Sequence, residues 1–223
     1  MKKIEKLEND AKMYAVIGAP GTGKTSIVRS FVGKKVVLSF DESYSSLKGT
    51  PDLVVYSGFT AKELVDTDKF IETIDKLSSN ADLLVFDNIS ALEDLLVDEI
   101  TDGNAGNNTN LQAAYGATQK VLRKIARWSM LFHGTVLFTL WSQNKDGKEV
   151  PAMNEKAFNA VAGLAKIVGR TFIDEEKKYS VSLQPDFDVY GKNTVNKIEV
   201  VPNEKFWKAT TYREPVEKKE VKK

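Results

Sequence analysis

The segment GAPGTGKTS, residues 18–26, follows the short apolar run MYAVI and constrains the fold more than any other part of the chain. Its spacing, with four residues between Gly18 and Gly23-Lys24-Thr25, matches the Walker A pattern in full. Glycines let backbone N–H groups curl around phosphate oxygens, Lys24 supplies positive charge, and the Thr25 hydroxyl can ligate Mg²⁺. The pattern predicts a phosphate-binding loop between a buried strand and a helix that runs to about Phe31. The residues expected to contact the phosphates are Gly18, Ala19, Pro20, Gly21, Thr22, Gly23, Lys24, Thr25 and Ser26.

The composition excludes several other kinds of site. The 223-residue chain has no cysteine and a single histidine, which excludes disulfides, thiolate zinc sites, a cysteine nucleophile and a His-rich metal site. Its 32 basic and 31 acidic residues give a net charge of +1, so a surface for nucleic acid would have to be local. Residues 1–10 do not resemble a signal peptide, and no apolar run is long enough to span a membrane. We expect a cytoplasmic protein without membrane contact.

Apolar strands alternate with helical patterns along the chain. This alternation predicts an α/β fold with a mostly parallel central sheet flanked by helices. The segments VGRTFI and KYSVSL flank DEEKK and predict a β-hairpin, and hence an antiparallel C-terminal extension. We divide the chain into a lead-in at residues 1–11, one domain at 12–210, and a charged tail at 211–223 that is expected to be disordered.

Local patterns predict where helices start and where loops lie. The segments TAKE (60–63) and SALE (90–93) each match a capping box, in which a Ser or Thr and a Glu close the first turn of a helix. Residues 101–110 are small, polar and rich in Gly and Asn, so we expect a mobile loop there. The polar segment SQNKDGKEVPAMN (142–154) is predicted to be a second loop.

The segment LLVFD, residues 83–87, places an acid at the C-terminal edge of an apolar strand. Asp87 is therefore the candidate Walker B acid, which could hold Mg²⁺ through water beside Thr25. Many ATPases place a Glu directly after this Asp to orient the attacking water, but the present chain has Asn88. Either another acid takes this role or the protein binds nucleotide without hydrolysing it.

Two further strand ends carry polar residues that suit hydrolysis. The strand at 35–40 leads into SFDES, where Asp41 or Glu42 could align the attacking water or accept its proton. The strand at 134–141 is followed by Ser-Gln, and the amide of Gln143 could touch the γ-phosphate and report its loss to the next loop. The choice between the two adjacent acids stays open. The candidate catalytic residues are Lys24, Asp41, Glu42 and Gln143.

In this order, the four features resemble the RecA/KaiC-like branch of P-loop ATPases. The shared pattern is GAPGTGKT, a strand ending in acids, LLVFD without a following Glu, and a strand ending in SQ, over about residues 12–185. The two adjacent acids of SFDES look like the KaiC variant of the motif. The resemblance implies a RecA-like P-loop fold, ATP and Mg²⁺ as cofactors, and a Gln143 that couples the nucleotide state to a DNA-binding loop.

The compact size and the segment NLQAAYGATQKVLRKIARW before GTVLFTLW are similar to a phage group of short RecA-like ATPases. Members of that group act in single-strand annealing or recombination. The resemblance implies single-stranded DNA as a partner, with a single-strand-binding protein as a further candidate. It also implies a homo-oligomer in the host cytoplasm.

By the same resemblance, the loops at 101–110 and 142–156 would face a single DNA strand. The first is almost uncharged, and the second carries three lysines but no aromatic residue, although single-strand sites usually combine both. Basic residues on the long helix at 111–131 are expected to form a solvated face or a DNA contact. Those on the late hairpin could reach a neighbour's γ-phosphate or be ordinary surface charges. The lysines of the second loop are Lys145, Lys148 and Lys156. The basic residues of the long helix are Arg123, Lys124 and Arg127, and those on or near the late hairpin are Arg170, Lys177 and Lys178.

Two other functions would use the same phosphate loop. A nucleotide or small-molecule kinase shares the cradle, but many such kinases close an Arg-rich lid, and SQNKDGKEVP contains only lysines. A non-hydrolysing module, in which ATP assembles a ring or recruits a partner, is consistent with Asn88 in place of Glu. The chain has no NKxD-type guanine-reading motif, which favours ATP over GTP.

Overall fold

The computed structural model describes residues 12–102, 110–185 and 191–210. The predicted lead-in at 1–11, the tail at 211–223 and nearly all of the predicted mobile loop at 101–110 lie outside these ranges. Among the described residues, no helix is long and apolar enough to cross a membrane.

The described residues form a ten-stranded sheet in which β10, β8, β7, β1, β5, β4, β2 and β3 lie side by side in that order. The six strands from β7 to β3 in this order are parallel to one another. The remaining pairings are antiparallel: β8 pairs with β7 and with β10, β6 pairs with β5, and β9 pairs with β7. The predicted fold class and the β7–β8 hairpin are thus confirmed. The strands are β1 Met13–Gly18, β2 Lys35–Ser39, β3 Leu53–Tyr56, β4 Leu83–Asp87, β5 Thr135–Lys145, β6 Lys148–Pro151, β7 Ile167–Ile173, β8 Tyr179–Ser182, β9 Lys192–Asn193 and β10 Val200–Pro202.

Helices cover both faces of the sheet, because alternate residues of each central strand point to opposite sides. In β1, Ala15 and Ile17 belong to one apolar cluster, and Tyr14 and Val16 belong to the other. The α-helices are α1 Ala61–Val65, α2 Thr67–Leu77, α3 Ile89–Asp102, α4 Leu111–Ser129, α5 Glu155–Ala162 and α6 Phe206–Thr210, and the 3₁₀ helices are Thr25–Ser30, Tyr44–Leu47 and Asn203–Lys205.

The helix after the phosphate loop is shorter and tighter than the sequence predicts. It is a 3₁₀ helix from Thr25 to Ser30, and Phe31 is already extended. The hydroxyl of Ser26 donates to the carbonyl of Gly23 at 2.8 Å, and that of Ser30 donates to the carbonyl of Ile27 at 3.0 Å. Serine hydroxyls that bond nearby carbonyls compete with the regular α-helical pattern.

One of the two predicted capping boxes is confirmed. The backbone N–H of Thr60 donates to Glu63 Oε2 at 2.9 Å at the start of α1. The box at Ser90 is wrong, because α3 begins at Ile89, two residues before the predicted start at Ala91, and Asn88 Oδ1 accepts from the N–H of Ala91 at 2.9 Å. Ser90 Oγ instead accepts a hydrogen bond from the N–H of Trp141 at 3.1 Å.

The predicted polar loop at 142–154 is mostly a β-hairpin. β5 runs on to Lys145 and pairs with β6 in an antiparallel register that joins Lys145 to Lys148. The turn between them is Asp146-Gly147, with φ values of 55° and 81°. Two consecutive left-handed residues of the type Asp-Gly make the tight turn that matches the twist of a β-hairpin. The loop prediction is wrong because the Asp-Gly turn allows the polar residues on either side of it to pair as strands.

Candidate nucleotide site

The phosphate loop connects the end of β1 to the 3₁₀ helix that begins at Thr25. The ammonium of Lys24 folds back over the loop and donates to the carbonyls of Gly18 and Ala19, both at 2.9 Å. Thr22 Oγ1 also donates to the carbonyl of Ala19 at 2.7 Å, and it lies 2.6 Å from Thr171 Oγ1 on β7. These contacts hold the loop in a curled shape between β1 and β7.

Two glycines permit this curl. Gly21 and Gly23 have φ values of 79° and 88°, a region that other residues rarely adopt. A Cβ at position 23 would come within 2.7 Å of Asn203 Nδ2 and 2.9 Å of Tyr179 Cδ1. Glycines at these positions let the loop turn its backbone N–H groups toward phosphate oxygens.

Lys24 is buried, with 8% of its surface exposed. Burial lowers the pKa of its ammonium, while the carboxylates of Asp87, Asp41 and Glu149 act in the opposite direction. A phosphate placed beside it would add negative charge and favour the charged form of the lysine further. The surroundings thus suit an anionic ligand.

The fold brings Thr25 of the Walker A loop next to Asp87, the candidate Walker B acid. Thr25 Oγ1 donates to Asp87 Oδ2 at 2.9 Å, and Thr139 Oγ1 on β5 donates to Asp87 Oδ1 at 2.5 Å. Burial raises the pKa of Asp87, and the two threonine hydrogen bonds oppose that shift. A hydroxyl and a carboxylate are oxygen ligands of the kind that Mg²⁺ prefers, so the pair fits a magnesium site.

The two adjacent acids of SFDES occupy different environments. Asp41 is half-buried, and its Oδ2 accepts a hydrogen bond from Asn88 Nδ2 at 2.5 Å. Its Oδ1 accepts from the backbone N–H of Ser43 at 3.0 Å. Glu42 is exposed and has a φ of 56°. Asp41 therefore lies among the phosphate-site residues, and Glu42 does not line the cavity they form.

These groups surround a cavity of about 450 Å³, within the range that ligand pockets of small molecules occupy. Of the nine residues expected to contact phosphate, six line it; Gly18, Ala19 and Thr22 lie behind them in the loop. The residues around the cavity are Pro20, Gly21, Gly23, Lys24, Thr25, Ser26, Arg29, Asp41, Ser43, Ser46, Asp87, Asn88, Trp141 and Tyr179.

Gln143 lies outside this cavity. It is exposed on the β5–β6 hairpin, where it pairs with Val150 and lines a separate cavity of about 240 Å³. The hairpin is nonetheless tied to the nucleotide side of the molecule through Glu149, which pairs with Asn144 near the turn. Glu149 accepts from Ser142 Oγ at 2.6 Å and from Arg170 Nη1 at 3.2 Å.

Three of the basic candidates form ion pairs within the chain. Lys124 on α4 pairs with Asp68 on α2 at 2.5 Å, and Lys178 pairs with Glu176 at 2.5 Å. Arg170 pairs with Glu149 of its own chain. These contacts fit the surface-charge interpretation at least as well as a DNA contact or a finger for a neighbour.

Several site residues escaped sequence reasoning. Thr139 carried a usable signal, because it is a polar residue within the apolar strand GTVLFTLW. Thr171, Tyr179 and Asn203 carried none, since they reach the loop from β7, β8 and the 3₁₀ helix near the C-terminus. Asn203 Nδ2 donates to the carbonyl of Gly23 at 2.9 Å, across 180 positions of sequence.

Comparison with known proteins agrees with this geometry. A family model described as AAA domain (AAA_24) matches residues 10–195. Among solved structures, the crystal structure of a KaiC-like protein from Pyrococcus horikoshii OT3 aligns with a TM-score of 0.53 at 14% identity, covering 86% of this chain and 85% of that one. A search of curated proteins found no match. The likeness shows that the fold is the RecA-like fold that the sequence predicts.

Proposed function

The chain belongs to the AAA domain family, and on that premise we propose that it is a Mg²⁺-dependent ATPase acting on single-stranded DNA. The observation that carries the ATPase part is the position of Asp41. Its carboxylate lines the same cavity as Lys24, Thr25 and Asp87, and Asn88 holds it there. A phosphate cradle, a metal pair and an oriented acid are the parts that phosphoryl transfer to water requires.

Binding is assigned to the loop and to the Thr25–Asp87 pair. The backbone N–H groups and the Lys24 ammonium would hold the β- and γ-phosphates, and Thr25 and Asp87 would hold Mg²⁺. When bound, the metal supplies positive charge that neutralises the phosphate oxygens during transfer. Asp87 must be ionised for this role; burial raises its pKa, the hydrogen bonds from Thr139 and Thr25 oppose that shift, and the charge of a bound Mg²⁺ would favour the ionised form.

Hydrolysis is assigned to Asp41. Its carboxylate would align the attacking water and take up its proton, a role that the sequence leaves open between Asp41 and Glu42. Both oxygens of Asp41 are already oriented, one by Asn88 and the other by Ser43. Such fixed orientation places the acid without reorganisation during the reaction.

The DNA part of the proposal rests on the β5–β6 hairpin. Lys145 and Lys148 lie directly opposite one another near its turn, and both are exposed. Two lysines at paired positions lie on the same face of a hairpin, so both could contact the phosphates of one strand. The hairpin reaches the nucleotide side through Glu149, which is adjacent to Lys148 and whose charge also acts on Lys24. This connection supports a link between ATP state and DNA contact.

The biological setting follows from the resemblance to short phage RecA-like ATPases. We place the protein in phage recombination or replication, as a homo-oligomer that handles or anneals single strands, with a single-strand-binding protein as a candidate partner. The test is phosphate release from ATP with and without single-stranded DNA, together with light scattering with and without ATP. Stimulation by DNA supports the proposal; an unchanged rate and no gel shift at low salt would remove the DNA part.

One observation also favours a kinase as the second candidate. Arg29, Ser43 and Ser46 line the same cavity as Asp41, so a hydroxyl-bearing anion could lie beside that carboxylate. A kinase would release ADP only when a nucleoside, nucleotide or other acceptor is added. ADP formation with water alone as the acceptor selects the ATPase.

A further inference from the structure

Tyr179 contributes an aromatic wall to the nucleotide cavity. It is the first residue of β8, its side chain is 46% exposed, and it lines the cavity. Its ring lies against the phosphate loop, since a Cβ at Gly23 would come within 2.9 Å of Tyr179 Cδ1. No sequence motif points to this residue, and neither the Walker pattern nor the catalytic assignment uses it.

The order of the sheet gives the cavity two distinct ends. The strands that lead to Asp87 and Asp41 lie on one side of β1, and β7 and β8 lie on the other. A nucleotide whose terminal phosphate lies at Lys24 and Asp87 has its base directed away from them. Tyr179 is on that opposite flank of the loop.

The wall beside Tyr179 is built by the C-terminal part of the chain. Asn203, which is 94% buried, donates to the carbonyl of Gly23 at 2.9 Å and lies 3.3 Å from Ser26 Oγ. β8 is itself paired on both sides, with β7 and β10. The ring is therefore presented by a firmly paired strand next to a loop that Asn203 holds in place.

Among the described residues that line the cavity, the other aromatic side chain is Trp141, which lies on β5, on the side of Asp87. Tyr14, Phe206 and Trp207 pack edge to face on one another in the buried cluster.

We propose that Tyr179 is the platform on which the nucleobase stacks, so that the antiparallel extension supplies the nucleoside half of the site. The ligand class is a nucleoside triphosphate. Because every base has a π-face, stacking alone does not distinguish one base from another. This inference rests on the proposed nucleotide binding and adds the residue that holds the base.

The test compares ligands with and without a base. Dissociation constants for MgATP, MgGTP and magnesium tripolyphosphate are measured by calorimetry on the full chain, for wild type, Tyr179→Ala and Tyr179→Phe. Tyr179→Ala is expected to weaken ATP and GTP alike by roughly tenfold, the scale of one base–aromatic stack, and to leave tripolyphosphate unchanged. Tyr179→Phe keeps the ring and is expected to bind as wild type does.

Ile173→Ala is the matched control. Ile173 pairs directly with Tyr179 across the β7–β8 hairpin and is 49% exposed, but it does not line the cavity. It is expected to leave all three dissociation constants unchanged, and circular dichroism checks the fold of each variant.

Two results would overturn the stacking role. If Tyr179→Ala weakens tripolyphosphate as much as ATP, the ring only shapes the loop; if it weakens neither, the base lies elsewhere. Failure of the proposed function would give a different result: the wild type would bind neither ATP nor tripolyphosphate, and Lys24→Ala would not alter either dissociation constant. In that case the stacking role would fail as well.

Discussion

Asn88 donates a hydrogen bond from its side-chain amide to Asp41 Oδ2 at 2.5 Å, joining the residue after β4 to an acid that follows the neighbouring strand β2. The same amide group uses its oxygen to accept from the N–H of Ala91 in the first turn of α3. Asn88 thus occupies the position where many ATPases have a glutamate, and it orients an acid on the adjacent strand. The missing glutamate and the extra acid are two parts of one arrangement.

Changing Asn88 to Asp separates these two roles. The carboxylate of Asn88→Asp can still accept from Ala91 N–H and cap α3, but it repels Asp41 instead of donating to it. We expect kcat for ATP hydrolysis to fall by about tenfold or more while KM changes little, because the water-orienting acid is displaced. Steady-state phosphate release measures both constants.

Thermal unfolding provides the control for Asn88→Asp. Asn88→Ala removes the cap as well and is expected to unfold at a lower temperature, with a loss of about 1 kcal/mol. If Asn88→Asp hydrolyses ATP at the wild-type rate, the amide does not orient the catalytic acid, and Asp41 loses its main support for that role.

The two acids of SFDES are expected to respond very differently to neutralisation. Asp41→Asn is expected to lower kcat by about 100-fold, the lower end of the contribution of a positioned acid or base. Glu42→Gln is expected to leave kcat near the wild-type value, because Glu42 is exposed and does not line the cavity. ATP affinity should be similar in both variants, which fluorescence titration with a labelled ATP can check.

The reverse ranking would assign catalysis to Glu42 and require the loop after β2 to rearrange on binding. Equal and small effects of both changes would instead support a module that binds ATP without hydrolysing it.

The sequence was sufficient for the parts of the site that short motifs encode. The phosphate loop, Asp87 and the parallel sheet follow from local patterns, since a buried strand, a glycine turn and an acid at a strand end each need only a few neighbouring residues. The sequence does not decide whether Asp41 or Glu42 is the acid that aligns the attacking water. That choice depends on the backbone turn at Glu42, where φ is 56°, and on a partner 47 positions away.

The two errors in the fold prediction have different origins. Ser90-x-x-Glu93 has the composition of a capping box, yet its two side chains bond to Trp141 and Asn154 in other elements, which a single sequence does not display. The apolar run before Gln143 ends at Trp141, but β5 continues to Lys145 because β6 pairs with it across the Asp146-Gly147 turn. The Asp-Gly signal for that turn is present in the sequence, but the polar residues around it favour a loop.

Glu93 and Glu63 are expected to contribute to the stability of the folded state with opposite dependence on pH. Burial raises the pKa of Glu93 above its ordinary value of 4.5, the hydrogen bond from the backbone of Asn154 opposes this shift, and the nearby Asp94 adds to it. The folded state therefore holds the proton more tightly than the unfolded state does. Stability from Glu93 is present below about pH 4.5 and is lost as the pH rises through the folded pKa.

The comparison uses thermal unfolding of Glu93→Gln and Glu63→Gln between pH 4 and pH 8. Relative to wild type, Glu93→Gln should gain stability as the pH rises. The pKa of Glu63 is lowered, first by its hydrogen bond from the backbone of Thr60, so its contribution is present at neutral pH and is lost as the pH falls. Glu63→Gln should therefore be least stable relative to wild type at neutral pH. Parallel curves for the two variants would contradict both assignments.

The last prediction concerns the paired lysines of the β5–β6 hairpin. Lys145→Ala/Lys148→Ala is expected to weaken binding to single-stranded DNA and to lower the slope of log K against log salt by about 1.4, the value for two phosphate contacts on a single strand. ATP hydrolysis without DNA should stay near the wild-type rate, because neither lysine lines the nucleotide cavity. Fluorescence anisotropy of a labelled oligonucleotide at several salt concentrations measures the slope.

The matched control for these lysines removes the same charge elsewhere. Lys69 and Lys76 are exposed on α2, so Lys69→Ala/Lys76→Ala changes the net charge equally without touching the hairpin. If both double variants lower the slope alike, DNA attraction comes from the overall charge. If only the hairpin variant lowers the slope, the hairpin is the DNA contact. We also expect that variant to lose the stimulation of ATP hydrolysis by DNA, because Glu149 joins the hairpin to Arg170 and acts on the charge of Lys24.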